Sequence, residues 1–230
     1  MTASGHRVKQ VTKAKILGYT LSNDLKHDKH ISALTGNINN RLYNIKKISN
    51  NSTIESRKIL TKAIVIGKMN YCLPLLCNAR KAEITDLNTL VTKSCRTIMG
   101  SRCPRWTNFR LLNKCDMPTI QQNINCQALN LIHTLHSTKK PAALYKMYKN
   151  IDRPQRAYQP LYPLYEPKTK PLKTSLFFNY TQVYNALSLD LRKLPKDKFK
   201  KQIKLEIRDN QYYHSIPNSE CNNDNSNHSE

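Results

Sequence analysis

The stretch Lys13 to Leu21, KAKILGYTL, runs almost directly into Asp28 to Ile48, DKHISALTGNINNRLYNIKKI, and these two segments set the architecture. In the first, Ile16, Leu17, Tyr19 and Leu21 with Gly18 at the pivot read as one extended strand. In the second, Ile31, Leu34, Ile38, Leu42, Ile45 and Ile48 recur at spacings of three and four, which is the stripe an amphipathic helix buries. Asn37, Arg41, Lys46 and Lys47 occupy the opposite face. A strand followed by a long basic helix is therefore expected.

The same periodicity carries through most of the chain. Ser52 and Glu55 have the spacing of a capping box, opening a second helix to about Lys68 with Ile59, Leu60, Ala63, Ile64 and Tyr71 on its core side. Joined by only Ser49 to Asn51, the two helices are expected to form an antiparallel hairpin. Arg57, Lys58, Lys62 and Lys68 then fall largely off the apolar stripe and, with Arg41, Lys46 and Lys47, make one cationic side. A third helix runs from about Ala82 to Met99, with Ile84, Leu87, Leu90, Val91, Cys95 and Ile98 inward and Gly100 ending it in the left-handed conformation. The loop SRCPRW follows, with Arg102 and Arg105 beside Trp106, the single tryptophan. An aromatic between arginines can stack on a base, but a lone Trp more often anchors a core, and that reading is preferred. Phe109 to Lys114 reads as a short helix. Thr119 to Ser137 reads as a longer one, capped by Thr119 and Gln122, with Ile120, Ile124, Ala128, Leu131 and Leu135 on one side.

Composition changes near Pro141. Seven Tyr between Tyr145 and Tyr184, with Pro at 154, 160, 163, 167 and 171, favour extended segments over helix. Tyr158, Tyr162 and Tyr165 are read as packing over a helical core rather than stacking on bases. A last helix, Asp197 to Arg208, turns Phe199, Ile203 and Ile207 inward and Lys200, Lys201 and Lys204 outward. The expected division is a strand segment at 1–26, a helical domain at 27–138, a Tyr/Pro-rich region with its helix at 139–208, and a disordered acidic tail at 209–230.

Charge points to the partner class. The formal net charge is +23 with a pI near 9.9, a field that attracts polyanions before any specific contact forms. Residues 1–138 carry 21 Lys and Arg against 6 Asp and Glu, residues 139–208 carry 17 against 5, and the tail carries none against 4. Nucleic acid is the expected partner, and neither a membrane nor a small-molecule substrate is. No apolar run approaches the roughly 20 residues that span a bilayer, and the first residues lack the apolar core of a signal peptide, so an intracellular place, nucleus or cytoplasm, is expected.

Residue types also bound the chemistry. Cys72, Cys77, Cys95, Cys103, Cys115, Cys126 and Cys221 are odd in number, and most sit in or beside expected helices, where a free Cys behaves as a small hydrophobe. Cys72 and Cys77 are followed by no second ligand pair at zinc spacing, and His27/His30 and His133/His136 read as core-edge or solvated histidines. No Asp-Asp dipeptide, GxSxG elbow, phosphate loop or HExxH helix occurs. Asp24 and Asp28 read as caps at a helix start.

Taken in order, these stretches resemble the C-terminal part of the reverse transcriptases of non-LTR retrotransposons, the jockey-like mobile-element polymerases. The basic strand with Leu17-Gly18 resembles the one that closes the family's palm and hands the chain to the helical thumb. TKAIVIGKMNYCLP (61–74) is similar to the second thumb helix with its trailing Tyr-x-x-Pro, and RTIMG (96–100) to the family's R-x-I-x-G helix end. Residues 172–203 resemble the C-terminal signature: a basic-Ser-aromatic strand (Lys173, Ser175, Phe177), a W-N-x-L-P turn, and an F-K-x-x-hydrophobic helix. Tyr184 stands where the family usually has Trp, and Ser188 where it has Pro. The likeness covers roughly residues 13 to 207.

The resemblance implies a mainly α fold: a strand remnant of the palm edge, a thumb-like bundle, and a connection-like region with a terminal helix. It implies binding of an RNA-DNA hybrid or duplex, with Arg41, Lys46, Lys47, Arg57, Lys58, Lys62, Lys68, Arg102 and Arg105 as the contacting cations. No cofactor is expected in this chain. The Mg2+ ions of polymerisation would belong to the palm, whose aromatic-x-Asp-Asp hairpin is absent from this sequence, so no catalysis by the chain alone is expected. The alternative is a basic helical adaptor that packs against another protein and has no polymerase role.

Overall fold

The computed structural model describes residues 2–3, 6–7, 11–100, 105–149 and 175–209. The fold is mainly α-helical, and the chain divides into two compact units, Met1–Ile120 and Gln121–Glu230. This division falls ahead of the compositional change near Pro141. Arg102, Cys103, Tyr158, Tyr162, Tyr165, Lys173 and the acidic tail lie outside the described residues.

The first unit opens with β1 (Thr2–Ala3) paired to β2 (His6–Arg7), followed by β3 (Lys13–Ile16) paired to β4 (Tyr19–Ser22). KAKILGYTL is thus a hairpin, not one strand. Ile16 pairs with Tyr19, and Leu17 and Gly18 both take positive φ (48° and 84°), reversing the chain in two residues. Glycine tolerates that geometry freely; leucine rarely adopts it. Tyr19 and Ser22 are buried, while Ile16, Leu17 and Leu21 are exposed.

Helix α1 (Asp28–Ile48) buries Ile31, Leu34, Ile38, Leu42 and Ile45, as its spacing requires; only Ile48, at its end, is exposed. Asp28 in the first turn and Lys46 and Lys47 in the last complement the helix dipole. A single 3-10 turn, Ser49–Asn51, links it to α2, which spans 54–69. Thr53, not Ser52, caps α2: its hydroxyl accepts from the Ser56 amide at 3.2 Å, because Ser52 is still engaged with the preceding turn through Ser49. Helix α2 is α-helical at Ile54–Leu60, π-helical at Thr61–Ile66 and α-helical again at Gly67–Met69.

The π segment overturns the expected face of α2. Arg57, Thr61, Val65 and Met69 are buried, whereas Ile59, Ala63, Ile64 and Tyr71 are exposed, Ile59 at 69%. In an α-helix of 3.6 residues per turn, each step of four overshoots the turn by about 40°, so such a stripe would spiral away from its partner. The wider π turn takes up the excess and keeps positions four apart on one line.

Helix α3 (Lys81–Met99) buries Ile84, Leu87, Leu90, Val91, Cys95 and Ile98. Its start is built by Glu83, which accepts from the Arg80 backbone amide at 2.7 Å and from the Arg80 guanidinium at 2.9 Å. Gly100 ends it at φ 73°, ψ −157°, a glycine region distinct from the left-handed helical one expected. A Cβ there would meet the Arg57 guanidinium at 3.3 Å, so glycine also makes room for that side chain. Helix α4 (Asn108–Cys115) is capped by Thr107 and buries Leu111 and Cys115.

The second unit contains α5 (Ile120–Thr138), α6 (Ala142–Lys149), α7 (Leu176–Ala186), α8 (Leu189–Lys193) and α9 (Lys196–Asp209). Two expectations fail here. Residues 142–149 and 176–186 are helical where Tyr and Pro suggested extended chain, since the prolines lie between these helices rather than in them. Ser175 caps α7 by accepting from the Phe178 amide, so Ser175 and Phe177 begin a helix and not a strand. On α5, Ile124, Ala128, Leu129, Ile132 and Leu135 are buried and Leu131 lies at the margin. The core is aromatic: His133 stacks on Phe199 at 3.9 Å and bonds through Nδ1 to the Tyr184 hydroxyl at 2.8 Å. Phe199, Ile203 and Ile207 of α9 point inward, and Lys200, Lys201 and Lys204 outward.

Candidate nucleic-acid interface

A cation contacts phosphate only if its donors are not already taken by the protein. The α1–α2 hairpin sorts its expected cations by this test. Arg57 fails it: the side chain is buried and donates to the carbonyls of Ile98 (2.8 Å), Ser49 (2.5 Å) and Ser52 (3.0 Å). It opens the buried stripe of α2 that the π segment continues through Thr61 and Val65, and it is a structural tie rather than a phosphate contact. Arg41 is half committed. Its Nε donates to Asn37 Oδ1 at 2.7 Å, and its Nη1 reaches the Ile64 carbonyl in the π segment at 2.8 Å, pinning α1 to α2.

Lys46 and Lys47 are exposed at the end of α1, with the Lys47 ammonium 4.7 Å from the Tyr43 ring centroid. Lys68 is half-buried toward the other end of the hairpin, its ammonium 5.6 Å from the Tyr71 ring. Measured from the Arg41–Ile64 contact, the two lysine sites lie on the order of 15 Å apart along the helix axes. That is about four base-pair steps of a duplex. Lys58 and Lys62 form a separate group: Lys62 pairs with Asp116 at 3.4 Å, and both lysines, behind the Cys95 hydrogen bond, lower the Cys115 thiol pKa. Arg105 is exposed on the chain leading to α4; Arg102 lies outside the described residues.

The base of the hairpin is clamped by aromatic and imidazole groups. Tyr19 hydrogen-bonds His27 Nδ1 at 2.5 Å, and His27 Nε2 bonds Asn78 Oδ1 at 2.8 Å, joining β4, the start of α1 and the chain before α3. His30 stacks under the Tyr19 ring at 4.0 Å and accepts from the Thr20 amide at 3.3 Å. Burial, then the nearby Cys72, Glu83 and Cys77, pushes the Tyr19 phenol up to about 12. Burial, then the charges of His27 and Lys68, lowers His30. Asp24 does not cap α1: it accepts from the Ser22 hydroxyl (2.6 Å) and the Lys26 amide (3.3 Å), which hold its carboxyl at about 2. His27 stands at the cap position without a side-chain bond to the helix.

What the sequence reading missed here are the cation–aromatic pairs. Tyr43 and Lys47 are four residues apart on one helical turn, a spacing that was legible, whereas Trp106 lies just before the helix that carries Arg110. Among the described residues, no three His, Cys, Asp or Glu side chains come together as metal ligands. Among the same residues, no helix is long and apolar enough to cross a membrane. No family model, curated protein or solved structure matches this chain.

Proposed function

We propose that this chain is a nucleic-acid-binding fragment of a non-LTR retrotransposon reverse transcriptase, a thumb-like bundle that grips template-primer duplex without the catalytic palm. The observation that carries the reading is the hairpin itself. Its apolar stripe goes to the core while Lys46, Lys47 and Lys68 remain available at two sites whose separation suits phosphates about four base-pair steps apart. In such an assembly the chain contributes positioning: held phosphates keep a primer end at metals supplied by another segment.

The test reverses charge at Lys46, Lys47 and Lys68 together and compares Lys200, Lys201 and Lys204 of α9, three exposed lysines on another helix. On a labelled RNA-DNA hybrid, loss of three phosphate contacts should flatten the log-log salt slope by roughly two to three, near 0.7–0.9 per contact. Equal losses from both triple variants would leave only a generally basic protein.

A second reading is favoured by one observation. Ile59 and Ile64 are exposed on α2 and Tyr71 in the turn just after it, as a protein-binding adaptor would require. Binding to nucleic acid must weaken steeply with salt, whereas an apolar protein interface need not.

A further inference from the structure

We infer that Arg105, Trp106, Phe109 and Arg110 form a stacking platform for the bases of an unpaired nucleic-acid strand, a site separate from the hairpin lysines. The inference rests on the nucleic-acid reading above and names a second ligand form for it. A single strand offers two handles, the π-faces of its bases and its phosphates, and a surface that takes both must interleave rings with cations. The segment RWTNFR (105–110) does so.

Phe109 is 76% exposed. Helix α4 seats itself through Leu111 and Cys115, so Phe109 is not needed for packing. Trp106 is only half-buried, and the Arg110 guanidinium lies 5.1 Å from its ring centroid, the geometry of a cation–π pair. Trp106 is thus not among the buried core residues, where a core anchor was expected. The Thr107 cap, which accepts from the Arg110 amide at 3.4 Å, sets Trp106 just before the helix and Phe109 in its first turn, so both rings are carried on a formed helix terminus.

The charge around the rings has one sign. Arg105, Arg110 and Lys114 are exposed, and residues 105–115 contain no carboxylate. The first acid, Asp116, is paired with Lys62. An acidic or apolar protein segment could use Phe109 as well. Arginine stacked on the indole next to a free ring favours planar bases linked by phosphates.

Because Trp106 is the only tryptophan, its fluorescence reports on this site alone. Unstructured oligothymidylate titrated into the full chain should quench that fluorescence saturably. An abasic oligomer of equal length, with the same phosphates but no bases, should bind more weakly and quench little. Phe109→Ala should weaken oligothymidylate binding about tenfold while leaving hybrid binding by the hairpin unchanged. Three results would overturn the platform: equal quenching by the abasic oligomer, unchanged oligothymidylate affinity in Phe109→Ala, or no binding of either oligomer by a chain that binds hybrid. Oligothymidylate quenching by a chain whose hybrid binding is salt-insensitive would instead reject the hairpin reading and keep the platform.

Discussion

Helices α1 and α2 are neighbours in one hairpin with similar apolar content, yet only α1 buries the residues its spacing marks. In α1 the stripe from Ile31 to Ile45 is fully inward. In α2 the inward positions are Arg57, Thr61, Val65 and Met69, and the isoleucines at 59 and 64 face out. The difference lies in the turn, since a π segment changes the period against which apolar positions are counted. A helix face is therefore a property of sequence and winding together.

The largest expected effect separates the two helices directly. Leu42→Asp places an unpaired charge in the α1 stripe and should destabilise the first unit by about 5 kcal/mol. Ile59→Asp, the same kind of change on α2, should cost no more than about 0.5 kcal/mol. Thermal unfolding followed by circular dichroism measures both. A large loss from Ile59→Asp would put Ile59 in the core and return α2 to an ordinary α-helical face.

Next in size is Arg57→Met, which keeps volume but leaves the carbonyls of Ser49, Ser52 and Ile98 without their donor. A loss of about 3 kcal/mol is expected, with no change in the salt slope of hybrid binding, because this arginine is a tie between α2 and the end of α3. A flattened slope at unchanged stability would make it a surface cation after all.

The smallest effect is with pH, and it acts on α1 but not on α2. Burial holds His30 in its neutral form, below its ordinary 6.5, so the unfolded chain binds a proton in acid that the folded chain resists. That stability is fully present above about 6.5 and is lost as pH falls below it. The groups facing His30 are Tyr19, His27, Lys68 and the Thr20 amide, none of which is a carboxylate that would favour the imidazolium. Amide exchange, corrected for its intrinsic pH dependence, should accelerate in β4 and the first turn of α1 on going to pH 5, while Ile54–Leu60 stays protected. Uniform loss across both helices would point to global unfolding instead.

Much of the fold was legible where the period was ordinary. The inward faces of α1, α3 and α9 follow from apolar spacings of three and four, and the structure buries nearly all of those residues. Legibility failed where a few atoms decide the outcome. Thr53 and Ser52 are both good caps, and only the 3-10 turn before them selects Thr53. Gly18 reads as a flexible point within a strand until Leu17 is seen to share its positive φ and close a hairpin. Of the expected cations, Lys46 and Lys47 were legible as the polar face of a regular helix, and Arg57 was not.

By itself the sequence determined a basic, mainly helical chain, the length of its principal helices and the buried stripe of each regularly wound one. These depend on residues within a turn or two of each other, and such residues meet in any fold that forms the helix. Only the tertiary structure decided which cations remain free, which way α2 faces and how the hairpin of KAKILGYTL is held. Arg57 is taken out of the surface by a carbonyl 41 residues away, and His27 is held by an asparagine 51 residues away. Partners so distant in sequence leave no local pattern, since their contact exists only once the helices have packed and a buried donor must find an acceptor.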